Sequence, residues 1–160
     1  MESAITISTE PEDIWEEALT TLETEAVRED HSHLRDHVEH MRIAARELPT
    51  MSPEERKEVV ARILDFLRGT LLPHADEEER SLYREVAKRL GHPEATAAMT
   101  HDHVAIRVRI VDLGAAKETD VDRLQELLYG LYALISVHFW KEEQLYLPLI
   151  ERPALPVFDG

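Results

Sequence analysis

Apolar residues return every three or four positions along almost the whole chain, and no stretch alternates with the period of two that a half-buried strand needs. A chain patterned in this way folds as helices that each bury one stripe. The first predicted helix runs from Thr20 to Leu48, with Val27, Leu34, Val38, Met41, Ala45 and Leu48 inward and Pro49 as its stop. The second opens on a capping box, with Ser52 as N-cap, Pro53 at the first position and Glu55 at the third. It carries Val60, Leu64, Leu67 and Leu71, kinks where Gly69 and Pro73 interrupt it, and continues to Leu90 before Gly91-His-Pro93 ends it. The third spans Glu94 to Leu113, with Ala97, Val104, Val108 and Val111 predicted inward. The fourth starts at Thr119 as N-cap and carries Leu124, Leu127, Leu128, Leu131 and Ile135 up to Pro148.

Short connections between long amphipathic helices make sequence neighbours antiparallel. The predicted fold class is therefore all-α, an antiparallel up-down-up-down four-helix bundle over residues 20–150. Residues 1–19 are expected to form an extension holding one short helix near Pro11 to Trp15. Residues 151–160 are expected to form a peripheral tail that Pro153 and Pro156 keep extended.

Composition narrows the function. The 33 acidic residues outnumber the 18 basic ones and give a net charge of −15, which repels nucleic-acid phosphates and anionic membrane surfaces. There is no cysteine, so disulfides, thiolate zinc sites, iron–sulfur clusters and cysteine nucleophiles are excluded. That absence fits a reducing compartment, and the predicted location is cytoplasmic. No apolar run approaches the roughly 18–20 residues of a membrane span, and the first residues lack the pattern of a secretory signal.

The histidines carry the chemistry. Four of the nine lie on or beside the predicted apolar stripes of four helical segments: His31, His74, His101 and His138. An imidazole turned inward must be hydrogen-bonded or coordinated, because an unpaired buried polar group costs about 1–3 kcal/mol. Two of these histidines have a glutamate one turn on, as His74-Ala-Asp-Glu-Glu78 and His138-Phe-Trp-Lys-Glu142. Positions i and i+4 are about 40° apart around a helix, so both members of each pair can reach one metal pair. Imidazole and carboxylate without sulfur suit iron, manganese or zinc. The Glu-x-x-His pairs of ferritin-like diiron bundles are absent. His33 and His40 point off the stripe and His92 sits at a helix end, so all three are expected in solvent. The acidic run Asp76 to Glu79 reads as a solvated face apart from Glu78.

Glu29-Asp-His-Ser-His-Leu-Arg-Asp-His37, Leu71-Leu-Pro-His-Ala-Asp-Glu-Glu78, His101 and His138-Phe-Trp-Lys-Glu142 together resemble the hemerythrin family, in particular its bacterial hemerythrin-like, or HHE cation-binding, branch. The resemblance implies a four-helix bundle around two non-haem iron ions, bridged by carboxylates and an oxo or hydroxo group. It implies His31, His74, Glu78, His101, His138 and Glu142 as metal ligands, with Glu78 and Glu142 as the bridges. Oxygen-carrying members place a second histidine one turn after the third-helix histidine. Here that position is Ala105; His37 is the candidate to supply the extra ligand, or else an outer partner or solvent-edge residue hydrogen-bonded to a carboxylate that orients a ligand. His103, facing away from His101, is the weaker one. Glu143 competes with Glu142 for the last carboxylate position, and Glu142 is preferred because it shares the face of His138. Tyr83, Tyr129 and Tyr132 could approach the site, but read first as amphipathic residues at the edge of the core.

Three functions follow from the resemblance: binding of dioxygen for storage or sensing, catalysis on hydrogen peroxide or nitric oxide, and an iron-sensing module. Ligand types alone leave zinc and manganese open as the metal. The oligomeric state is left open.

Overall fold

The computed structural model describes the backbone of residues 11–152 and the side chains of residues 23–152. The expected extended tail at Pro153 and Pro156 lies outside the described residues. Every regular element among the described residues is helical. Helix α1 spans Pro11–Glu47, α2 Pro53–Phe66, α3 Leu72–Arg80, α4 Leu82–Leu90, α5 Ala97–Ala115, α6 Val121–Lys141 and α7 Leu147–Glu151. They form four columns: α1; α2 through α4; α5; and α6 with α7. Arg28 meets Glu151 and Gln125 meets the Ala45 carbonyl, so the first and last columns run antiparallel. Asp102 meets His138 and Arg123 meets Asp112, so α5 and α6 do too. The architecture is the expected antiparallel four-helix bundle.

The first helix is longer than its stripe suggested. It begins at Pro11, so the short helix expected near Trp15 is continuous with it. The Ser52 capping box forms in full: Glu55 N–H donates to Ser52 Oγ and Ser52 N–H to the Glu55 carboxylate. Gly91 closes α4 in the left-handed region, at φ 68°, where a side chain would be strained. Gly91 and His92 N–H return to the Lys88 and Ala87 carbonyls. The fourth column is capped by Asp120 rather than Thr119, its carboxylate accepting from Arg123 N–H at 3.1 Å.

The kink at Pro73 is a π-turn, and it occurs twice. Residues Leu67–Leu71 and Glu142–Tyr146 each form five residues of π-helix. Leu72 N–H donates to the Leu67 carbonyl and Leu147 N–H to that of Glu142. In both places a proline, Pro73 or Pro148, follows one residue later. Proline has no N–H to give and its ring collides with the carbonyl four residues back, so a regular α-helix cannot pass. The wider turn lets the column continue, and it re-aims the side chains beside it. His74 and Glu78 follow the first π-turn; Glu142 opens the second.

The third column corrects the reading of its face. Val104, Val108 and Val111 are 48%, 55% and 67% exposed, while Met99, His103, Ile106, Ile110 and Leu113 are buried. Helix α5 carries two apolar seams on nearly opposite sides, two residues out of phase. The seam with the larger side chains removes more apolar area from water and so turns inward.

The core divides in two. A large cluster includes Leu34, Leu71, Ile106, Ile135 and Phe139, and a smaller one includes Leu82, Tyr83, Val86, Met99 and Leu147. Between them, in sequence order on every column, lies a layer of buried polar residues.

Candidate metal centre

That layer consists of His31, His74, Glu78, His103, His138 and Glu142. Five of them are buried at 3% exposure or less; His74 is half-buried. They form two groups whose donor atoms lie within 4.8 Å of one another: Glu78, His103, His138 and Glu142 in one, His31, His74 and Glu78 in the other. Glu78 belongs to both. Glu142 also reaches across, with Oε1 3.3 Å from His138 Nε2 and Oε2 3.3 Å from His31 Nε2.

His101 is not part of the layer. It is exposed on the outer face of α5, and His103 takes the inward place on the larger apolar seam. One turn after His103 stands Arg107, so the position compared above at Ala105 is Arg107 in the observed phase. Its guanidinium turns away to Asp76 and Glu79. His37 is exposed and stacks on Phe66 at 4.6 Å, away from the layer. His33 and His40 are exposed as expected, and His92 receives Glu94 N–H at a helix end. Glu143 stands behind His31 rather than in the layer.

Each inward imidazole turns its Nδ1 toward a carboxylate. His31 Nδ1 lies 3.1 Å from Glu143, His103 Nδ1 2.8 Å from Glu79, His138 Nδ1 3.1 Å from Asp102, and His74 Nδ1 4.0 Å from Asp30. An ionised carboxylate only accepts, so the three close contacts place the imidazole proton on Nδ1 and leave Nε2 as a lone pair. The same three carboxylates are held from outside by a cation: Glu143 by Arg35, Glu79 by Arg107 and Asp102 by Lys141. Burial pushes Asp102 and Glu143 up, but the Lys141 and His138 contacts for one and Arg35 and His31 for the other hold both below the usual carboxylate range. Sequence reasoning missed these outer partners, since Glu79 and Asp102 look like solvated helix faces.

The Nε2 atoms converge. Those of His103 and His138 are 2.8 Å apart, and His31 and His74 Nε2 lie 3.0 and 2.8 Å from Glu78 Oε1. The His74 approach is close but out of line, so His74 Nε2, Glu78 Oε2 and Glu142 Oε2 are buried with no hydrogen-bond partner. Three buried polar atoms without a partner in one layer would cost about 1–3 kcal/mol each. A cation satisfies all three, and oriented imidazoles with outer carboxylates are the usual support of metal ligands. The donor set therefore fits a metal.

Without a metal, the protonated histidines take that role. Burial lowers His74 and His138, yet Glu78 and Glu142 respectively outweigh it and leave both raised. Burial raises Glu78, yet the His103, His31 and His74 imidazoles around it leave it well below its usual value of 4.5. The raised histidines stabilise fully below their unfolded value of 6.5, and that stability is lost as pH climbs through the folded values. The depressed Glu78 stabilises above its unfolded value of 4.5, and that stability is lost as pH falls through its folded value. Chelator-treated protein should thus be most stable in mildly acidic solution, its melting temperature falling as pH rises above the unfolded histidine value of 6.5. A rising melting temperature over that range would contradict this charge assignment.

Tyr83, expected at the edge of the core, is 3% exposed and donates to Glu142 Oε1 at 2.5 Å. Burial and the Glu142 and Glu78 charges push its hydroxyl far up, so it is a neutral donor. On the other side of the layer lies a cavity of about 10 Å³, room for one water-sized molecule. Ile106, Ile135 and Phe139 wall it, and His74, Glu78, His103 and His138 face it.

Among the described residues, no helix is long and apolar enough to cross a membrane. No curated protein and no solved structure matches the chain. The Hemerythrin HHE cation binding domain matches residues 22–151, which take in all four columns and the whole polar layer. With that match over most of its length, the chain belongs to the hemerythrin HHE cation-binding domain family.

Proposed function

We propose that this chain is a non-haem diiron protein of the cytoplasm that binds dioxygen or a related small oxidant. The observation that carries the reading is the pair of donor groups sharing Glu78, with orphaned lone pairs between them. Six donors of imidazole and carboxylate type exceed what one tetrahedral zinc requires, and two carboxylates placed between the groups suit a bridged pair. His31, His74 and Glu78 would hold one ion and Glu78, His103, His138 and Glu142 the other. A ferrous pair supplies electrons to an oxidant small enough to bind beside it.

The chain's own residues do the rest. Glu143, Glu79 and Asp102 keep the imidazole protons on Nδ1, so the nitrogens facing the centre are ligands and not acids. Ile106, Ile135 and Phe139 wall a small apolar space beside the centre, with room for about one water-sized molecule. Hydrogen peroxide and nitric oxide are as small as dioxygen. A single inward imidazole on α5 favours an enzyme acting on one of these as the second reading: with Arg107 turned away, the donor set holds four imidazoles and leaves more room for a substrate to coordinate.

The test is anaerobic Fe(II) loading followed by optical spectra after dioxygen, hydrogen peroxide and nitric oxide in turn. A spectrum that appears with dioxygen and reverses under vacuum supports a carrier. Turnover of peroxide or nitric oxide supports an enzyme. Indifference of the loaded protein to all three would overturn the proposal.

A further inference from the structure

Tyr83 has no part in the donor set, yet its hydroxyl stands among it. The oxygen lies 2.5 Å from Glu142 Oε1, 3.2 Å from His138 Nε2 and 3.3 Å from His103 Nε2. Its ring stacks on His103 at 5.4 Å with planes 14° apart, and it meets Tyr146 edge-on at 5.7 Å. The break at Ser81 creates this placement. Ser81 Oγ donates to the Glu77 carbonyl, the α3 column stops, and α4 restarts with Leu82 and Tyr83 both buried.

A phenol has one proton to donate. Here the short contact to Glu142 Oε1 takes it, which makes the two oxygens of Glu142 unequal. Oε1 is tied at the His103 and His138 end of the layer. Oε2 is turned to the His31 end, 3.3 Å from His31 Nε2, and has no hydrogen-bond partner. An untethered glutamate opening a π-turn has several rotamers, and few of them span both donor groups.

We propose that Tyr83 is the positioning residue for Glu142, holding that carboxylate so that its free oxygen faces His31 and it spans the two halves of the metal centre. This rests on the metal-centre reading above. A carboxylate that is pre-oriented need not be ordered when the second ion enters, so the hydroxyl acts on metal affinity and on ligand geometry.

The test compares wild-type, Tyr83→Phe, Glu142→Gln and the double variant, each loaded anaerobically with Fe(II) and, separately, with Co(II), whose ligand-field spectrum reports coordination. Phenylalanine keeps the ring that stacks on His103. Tyr83→Phe is expected to weaken binding of one ion by about 10–100-fold, the usual loss for an outer partner of a ligand, and to change the Co(II) spectrum. In the Glu142→Gln background it should cause no further loss, because it acts through Glu142. Glu142→Asp, which withdraws the carboxylate from the hydroxyl, should reproduce the loss and provides the test should Tyr83→Phe fail to fold. Unchanged affinity and spectrum in Tyr83→Phe, or a further loss in the double variant, would overturn the proposal. So would a tyrosinate charge-transfer band in the ferric wild type that Tyr83→Phe lacks, since Tyr83 would then be a ligand itself. Wild-type protein that binds neither metal removes the metal-centre reading and this role together. Wild-type protein that holds two ions beside an indistinguishable Tyr83→Phe removes only the role of Tyr83.

Discussion

Glu78→Gln should leave the protein unable to retain two metal ions after Fe(II) loading and desalting. Glu78 is the one residue in both donor groups, so its carboxylate is needed by each half. It approaches His31 and His74 through Oε1 and His103 through Oε2 at 3.5 Å. The amide keeps the shape of the side chain but removes its charge and turns one oxygen into a donor, which faces lone pairs instead of a cation. The loss should exceed the roughly 10–100-fold expected when only an outer partner of a ligand is removed. Metal analysis of the variant decides it: one ion or none is expected, and two ions retained at wild-type affinity would show that Glu78 does not join the halves.

The second large effect separates two histidines that stand two residues apart. His103→Ala should abolish stable loading of the Glu78, His103, His138 and Glu142 group, while His101→Ala should match wild-type. His103 is 1% exposed and anchored through Nδ1 by Glu79; His101 faces solvent on the opposite side of α5. Iron content and the ferric optical spectrum of the two variants measure this directly. Loss in His101→Ala with retention in His103→Ala would reverse the assigned phase of α5.

That phase is also where reading the sequence met its limit. Columns one, two and four each have one dominant apolar face, so their inward residues, His31, His74 and His138 among them, follow from spacing alone. On α5 both faces are apolar at helical spacing, and spacing cannot choose between them. Side-chain size could have done so: Met99, Ile106, Ile110 and Leu113 outweigh Ala97, Val104, Val108 and Val111, and the heavier seam is the buried one. The two prolines were legible as interruptions, but their outcome as π-turns depends on the packing that keeps each column going. Of the outer partners, Glu143 was legible only as a rival to Glu142, and Glu79 and Asp102 not at all. Each is a charged residue on a helix flank, and only the crossing of two columns shows that an imidazole Nδ1 and a cation meet there. Tyr83 was legible only as one of three tyrosines able to approach the site, because the break at Ser81 resets the helical phase just before it.

The most direct test of the account is the metal content of the wild-type chain after anaerobic Fe(II) loading and removal of loosely bound ions. Two donor groups sharing one carboxylate predict two iron ions per chain. One ion per chain, or none, would contradict it.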